Sequence, residues 1–109
     1  MASRRQTQIS EMLMHHAADF FARESNGASL ITVTAADVSP DLRNIKIFFS
    51  VLPTSYEDQA LNFAKRSRTE FREYIKAHAR LQYLPNVDFA IDLGEKNRQL
   101  IDDLTRPKA

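Results

Sequence analysis

The 109-residue chain has no cysteine, only two glycines and no long apolar run. Without thiols there are no disulfides, thiolate metal ligands or cysteine nucleophiles, and the chain suits a reducing compartment. Low-complexity stretches and internal repeats are also missing, and 43% hydrophobic with 27% charged residues is an ordinary globular balance. The length suits a single domain over residues 1–109 with one core, its ends (about 1–5 and 105–109) expected to be flexible. No segment is apolar enough to span a membrane. Behind Arg4 and Arg5 the residues Glu11, His15, His16 and Asp19 break up any apolar stretch, which argues against a secretory signal and leaves the cytoplasm as the expected location.

Net charge is small, +1, but it is unevenly placed. Between Lys65 and Arg80, six basic residues (Lys65, Arg66, Arg68, Arg72, Lys76, Arg80) stand against Glu70 and Glu73, a local charge of +4 that leaves −3 for the rest of the chain. Arg68, Arg72, Lys76 and Arg80 recur every fourth residue. On a helix that spacing stacks them along one slowly rotating ridge, able to follow a phosphate backbone. Arg4 and Arg5, ahead of the first helix, and Lys46 extend the candidate RNA-binding set. The plainer alternative is a solvated helix face on which Glu70 and Glu73 pair with their basic neighbours.

Ile9, Met12, Leu13, His16 or Ala17, Phe20 and Phe21 follow the spacing of an amphipathic helix, which Asn26-Gly27 should stop. Leu30 to Val38 is β-branched and threonine-rich, as in a strand. Ser39-Pro40-Asp41 is a turn, since proline presets φ and its polar neighbours bond nearby backbone. Ile45, Ile47, Phe49 and Val51 then alternate with Lys46, Phe48 and Ser50, predicting a strand antiparallel to the first, with helices on one side. After Pro53, Ser55 is the expected cap of a long helix. Its buried stripe is Ala60, Ala64, Ser67, Phe71, Ile75 and His78 or Ala79, ending near Arg80. Asn86 to Leu93 reads as a third strand closed by Gly94, and Leu100, Ile101 and Leu104 as one side of a short last helix.

Few residues suggest other chemistry. His15 and His16 point about 100° apart on a helix and have no ligand at the spacing of a helical zinc site, so no metal is expected. Asp37, Asp41, Asp88 and Asp92 lie at strand or turn positions where carboxylates bond backbone, and no nucleophile and base form a unit, so catalysis is not expected. An exposed Phe48 would offer a ring on which an unpaired base can stack.

The strings Ile31-Thr32-Val33-Thr34, Val38-Ser39-Pro40-Asp41-Leu42, Ile45-Lys46-Ile47-Phe48 and Leu81 through Pro85 into Val87-Asp88-Phe89-Ala90-Ile91-Asp92, in this order and spacing, resemble ribosome-binding factor A, over nearly the whole chain. The resemblance implies an α+β, KH-like fold related to type II KH domains: a three-stranded sheet with helices on one face, in the order α-β-β-α(kinked)-β-α. It also implies a non-catalytic, monomeric factor that docks transiently on the immature small (30S) ribosomal subunit. There it would bind 16S rRNA near the decoding region late in maturation, with no cofactor, small-molecule substrate or membrane partner. The family interrupts its long helix with Ala-x-Gly, and here the corresponding kink position is Ser67-Arg68-Thr69, without either small residue. Serine and threonine can still bend a helix by bonding back to carbonyls. Longer members carry a C-terminal extension beyond the residues present here. Two competing classes are a protein-interaction domain using the Phe48 face and a small enzyme of ferredoxin-like architecture.

Overall fold

A computed structural model describes residues 3–24, 29–79, 81 and 84–94. In chain order these form helix α1 (Arg4–Glu24), strands β1 (Leu30–Val38) and β2 (Asn44–Leu52), a 3₁₀ turn (Thr54–Tyr56), helices α2 (Glu57–Arg66) and α3 (Arg68–His78), and strand β3 (Asn86–Ile91). That order is the KH-like α+β arrangement expected from the resemblance. The expected last helix at Leu100, Ile101 and Leu104 lies outside the described residues.

The sheet order is β1-β2-β3, with β2 antiparallel to β1 and parallel to β3. A parallel neighbour requires a crossover, and α2 with α3 supplies it. Along β2, Ile45, Ile47, Phe49 and Val51 are buried, and beside them so are Val87 and Phe89 of β3. Helix α1 covers them with Ile9, Leu13, Ala17, Phe20 and Phe21, and the crossover helices with Ala60, Ala64, Phe71 and Ile75. Phe21 meets Phe89 edge to face at 5.3 Å, and Phe20 meets Phe71 at the same separation, so aromatic pairs tie both helical segments into one core.

Strand β1 carries a bulge: pairing shifts between Val33 and Ala35, leaving Thr34 as the extra residue. One extra residue reverses the alternation, and this keeps Ile31 and Val33 before it, and Ala36 and Val38 after it, all packed on the core. The turn after β1 is built as the sequence suggests. Asp41 accepts from the Ser39 hydroxyl and from the Arg43 backbone N–H, and these bonds hold its carboxyl below the usual range. Leu42 sits at φ 64°, a conformation that costs a branched side chain about 1 kcal/mol, offset by its packing against the core.

Two element starts differ from expectation. Arg4 and Arg5, expected ahead of the first helix, form its first turn, because Ser3 and Gln6 make a reciprocal capping box. The Gln6 N–H donates to Ser3 Oγ at 3.1 Å and the Ser3 N–H to Gln6 Oε1 at 2.8 Å. Ser55 does not cap α2; it lies inside the 3₁₀ turn, and Tyr56 takes the cap position. Glu57 and Asp58 do occupy the first turn of α2, where they suit the helix dipole.

Candidate nucleic-acid interface

The basic segment is two helices, not one rod. They meet at Ser67, the first of the three kink positions, at φ −90° and ψ 5°. Its backbone N–H is shared between the carbonyls of Phe63 (3.0 Å) and Ala64 (3.1 Å), and its own carbonyl accepts from Phe71. A ψ near zero redirects the chain for α3. Only a small side chain fits here, since Ser67 is buried at the same interface as Ala64 and Phe71. Arg68 and Thr69, the other two kink positions, open α3 and are exposed.

Of the expected ridge, Arg68 and Lys76 are exposed and Arg72 is half-buried, and both arginines are also tied to the backbone. Arg68 turns back: its Nε donates to the Lys65 carbonyl at 3.1 Å, closing one of the orphan acceptors at the end of α2, and its guanidinium lies 3.6 Å from Asp88 on β3. Arg72, half-buried, donates from Nε to the Pro85 carbonyl at 3.1 Å, which fastens α3 to the residue entering β3. Lys76 alone of these three stands clear in solvent without such a tie. Arg80 lies outside the described residues, beyond the end of α3 at His78. Arginine four residues apart is therefore used here for fastening as much as for display.

Three exposed cations do come together, at the helix junction. Lys65 and Arg66 end α2 and Arg68 begins α3, so the positive groups straddle Ser67 within four residues. From there a broad groove of about 640 Å³ runs onto the end of the sheet, lined by Arg68, Lys46, Asn44, Asn86, Ser39, Asp37 and Asp88 among others. The strand register sets Lys46 between Asp37 and Asp88, so the two cations of the groove are matched by two carboxylates. Lys46 also leans over the half-buried Phe48 ring at 5.9 Å. The charges lining the groove are balanced, and the exposed Lys65 and Arg66, at the end of α2, are not among its lining residues. Asn44 and Asn86, joined by a 3.3 Å hydrogen bond from Asn86 Nδ2 to Asn44 Oδ1, add donors and acceptors that the basic pattern did not reveal. Their one sequence signal is that each opens a strand. Arg4 and Arg5 are exposed at the start of α1, and Arg5 borders a small apolar cavity with Asp41 and Pro85.

On the other flank of α3 the fold assembles a cluster that sequence distance concealed. The Tyr74 and His78 rings stack at 4.0 Å, His16 lies 6.3 Å from His78, and the Arg23 guanidinium sits 5.7 Å from the Tyr74 ring. Burial, and then the nearby His78, lower the His16 pKa from its ordinary value. No group of three or more metal-ligating side chains occurs among the described residues. Three of the four acids weighed as catalytic are bound structurally: Asp41 within its turn, Asp92 by accepting from the Thr34 hydroxyl, and Asp88 by accepting from the Phe89 N–H as well as pairing with Arg68.

Comparison with known proteins agrees with this architecture. The family model described as ribosome-binding factor A matches residues 4–105. A ribosome-binding factor A from Thermomicrobium roseum is 29% identical over 109 residues, covering 97% of this chain and 84% of the relative. The crystal structure of ribosome-binding factor A from Thermus thermophilus superposes with a TM-score of 0.71 at 18% identity, covering 79% of this chain and 94% of that one. A homology model of the Thermus thermophilus factor, fitted into a cryo-EM map of its complex with 30S, gives 0.66 at 20% identity over 74% of this chain and 88% of that one. With a family match spanning both helical segments and all three strands, the chain belongs to the ribosome-binding factor A family.

Proposed function

We propose that the protein binds 16S rRNA of the small ribosomal subunit late in its maturation, as a non-catalytic, monomeric factor of the cytoplasm. The observation that carries this reading is the exposed cluster of Lys65, Arg66 and Arg68 at the break between α2 and α3, beside a groove with amide and hydroxyl groups. Kinship to a family whose Thermus member has been fitted into a 30S complex supports the choice of partner. Arg4 and Arg5 add to it. Two cations in the first turn of a helix oppose its dipole at about 0.3–1 kcal/mol each, a cost that contact with phosphate offsets.

In this reading Lys65, Arg66 and Lys76 neutralise phosphates and release counterions, while Arg68 holds the junction in shape and shares its outer edge with the RNA. Arg72 acts by fastening α3 to β3, Arg80 continues the basic tract past α3, and Lys46 with the asparagines meets sugar and base edges in the groove. Charge supplies affinity and RNA shape supplies discrimination. Sedimentation of the native protein from a cell extract tests the class. Co-migration with free small subunits and absence from whole ribosomes is the expected result, and an even spread over all fractions would refute an assembly role.

A further inference from the structure

A groove that only followed a phosphate backbone would carry positive charge alone, and this one does not. In the strand register Lys46 has Asp37 opposite it on β1 and Asp88 opposite it on β3, and all three line the groove with Arg68. Directly opposed side chains on neighbouring strands lie roughly 5 Å apart at Cβ, so each carboxylate offsets the lysine charge. Asp88 is held in place twice. It accepts from the Phe89 N–H at 2.9 Å and lies 3.6 Å from the Arg68 guanidinium, with both side chains about half exposed. An anion arriving at Arg68 therefore meets a carboxylate already paired with it.

The uncharged groups of the groove suit a different guest. Asn86 Nδ2 donates to Asn44 Oδ1, which leaves the Asn44 amino group as a donor and the Asn86 carbonyl as an acceptor, on two exposed residues. A donor near an acceptor matches the edge of an unpaired base. A backbone phosphate only accepts, and can use one of the two.

We propose that Asp88, with Asp37, is a specificity-determining residue that keeps backbone phosphate out of the groove, so that RNA enters there only by an unpaired base while its phosphates stay at Lys65 and Arg66. Asp88 acts by holding the guanidinium that a phosphate would otherwise take, and both acids act by opposing negative charge at Lys46. The inference rests on the RNA-binding reading and adds what the groove selects.

The test compares two polyanions on the full-length protein: single-stranded small-subunit rRNA, and inorganic polyphosphate, which carries the charge without bases. The unaltered protein should prefer the RNA. Asp88→Asn removes the charge but keeps the shape and an oxygen for the Phe89 N–H. Glu73→Gln, exposed on α3 and outside the groove lining, makes the same change in net charge. In Asp88→Asn, polyphosphate affinity should rise about three- to tenfold and its log–log salt slope steepen by roughly 0.7–0.9, for one phosphate admitted at Arg68, while RNA affinity rises less. Glu73→Gln should shift both ligands by one smaller, common factor. A gain in Asp88→Asn no larger than in Glu73→Gln, or equal for the two ligands, would overturn the proposal. Asp37→Asn, exposed on an edge strand and outside the Arg68 pair, repeats the comparison and should also favour polyphosphate, by a smaller factor; no shift in that direction counts against the filter. Unaltered protein that binds no RNA would sink the binding reading and the filter together, whereas RNA binding with unmoved variants sinks the filter alone.

Discussion

Helix α1 runs unbroken for 21 residues, whereas α2 and α3, of 10 and 11 residues, cover the same sheet face as two pieces joined at Ser67. Both segments carry a buried stripe at helical spacing: Ile9, Leu13, Ala17, Phe20 and Phe21 on the first, and Ala60, Ala64, Ser67, Phe71 and Ile75 on the second. The stripe alone therefore does not decide whether a helix continues. What separates the two is one buried serine with ψ near zero, and the change of direction brings Arg68 and Arg72 onto β3. In α1 Gln6 also acts as a fastener, donating to the Val38 carbonyl, and beyond the junction two arginines do so.

Enlarging the junction residue should give the largest effect on this contrast. Ser67→Leu forces a bulky side chain into a filled site and should cost about 1–3 kcal/mol in denaturant unfolding, with little change at equivalent exposed positions of α1. A smaller destabilisation would mean the junction is loosely packed. Removing the cap of the unbroken helix is a milder perturbation. Ser3→Ala should cost about 1 kcal/mol, and an unchanged midpoint would show that the Ser3 and Gln6 bonds contribute nothing.

The seam between the two segments should respond to acid. Above its ordinary value near 6.5, His16 is neutral in both folded and unfolded chains, so it adds no pH dependence there. As pH falls below that value the unfolded chain takes up the proton first, because burial and His78 lower the folded pKa, although Asp19 opposes them. Native stability is thus lost progressively on acidification through this range. His16→Gln should flatten that limb of a stability profile, and a limb of unchanged slope would assign it to other groups.

Much of the fold is legible in the residues. Strand β1 has the same bounds in sequence and structure, Leu30 to Val38, because its β-branched run and the turn at Ser39-Pro40-Asp41 are local signals. Both buried helical stripes are visible for the same reason. The apolar spacing from Ile9 onward misses the capping box at Ser3 and Gln6, although a serine three residues ahead of a glutamine carries that signal. Other features are not local. The every-fourth spacing of Arg68 and Arg72 is the same whether guanidiniums meet solvent or bond to Lys65 and Pro85 carbonyls. Likewise the bulge at Thr34 and the approach of His16 to His78 depend on how distant segments pack, which no spacing along the chain encodes.

The central claim is that Lys65 and Arg66, displayed at the broken helix, supply charge for RNA while Arg68 and Arg72 hold the geometry. Its most direct measurement is small-subunit rRNA affinity as a function of salt for Lys65→Gln combined with Arg66→Gln. Affinity should fall and the log–log salt slope should drop by roughly 0.7–0.9 for each phosphate no longer neutralised, with thermal stability unchanged. An unaltered affinity and slope in the folded double variant would contradict the account.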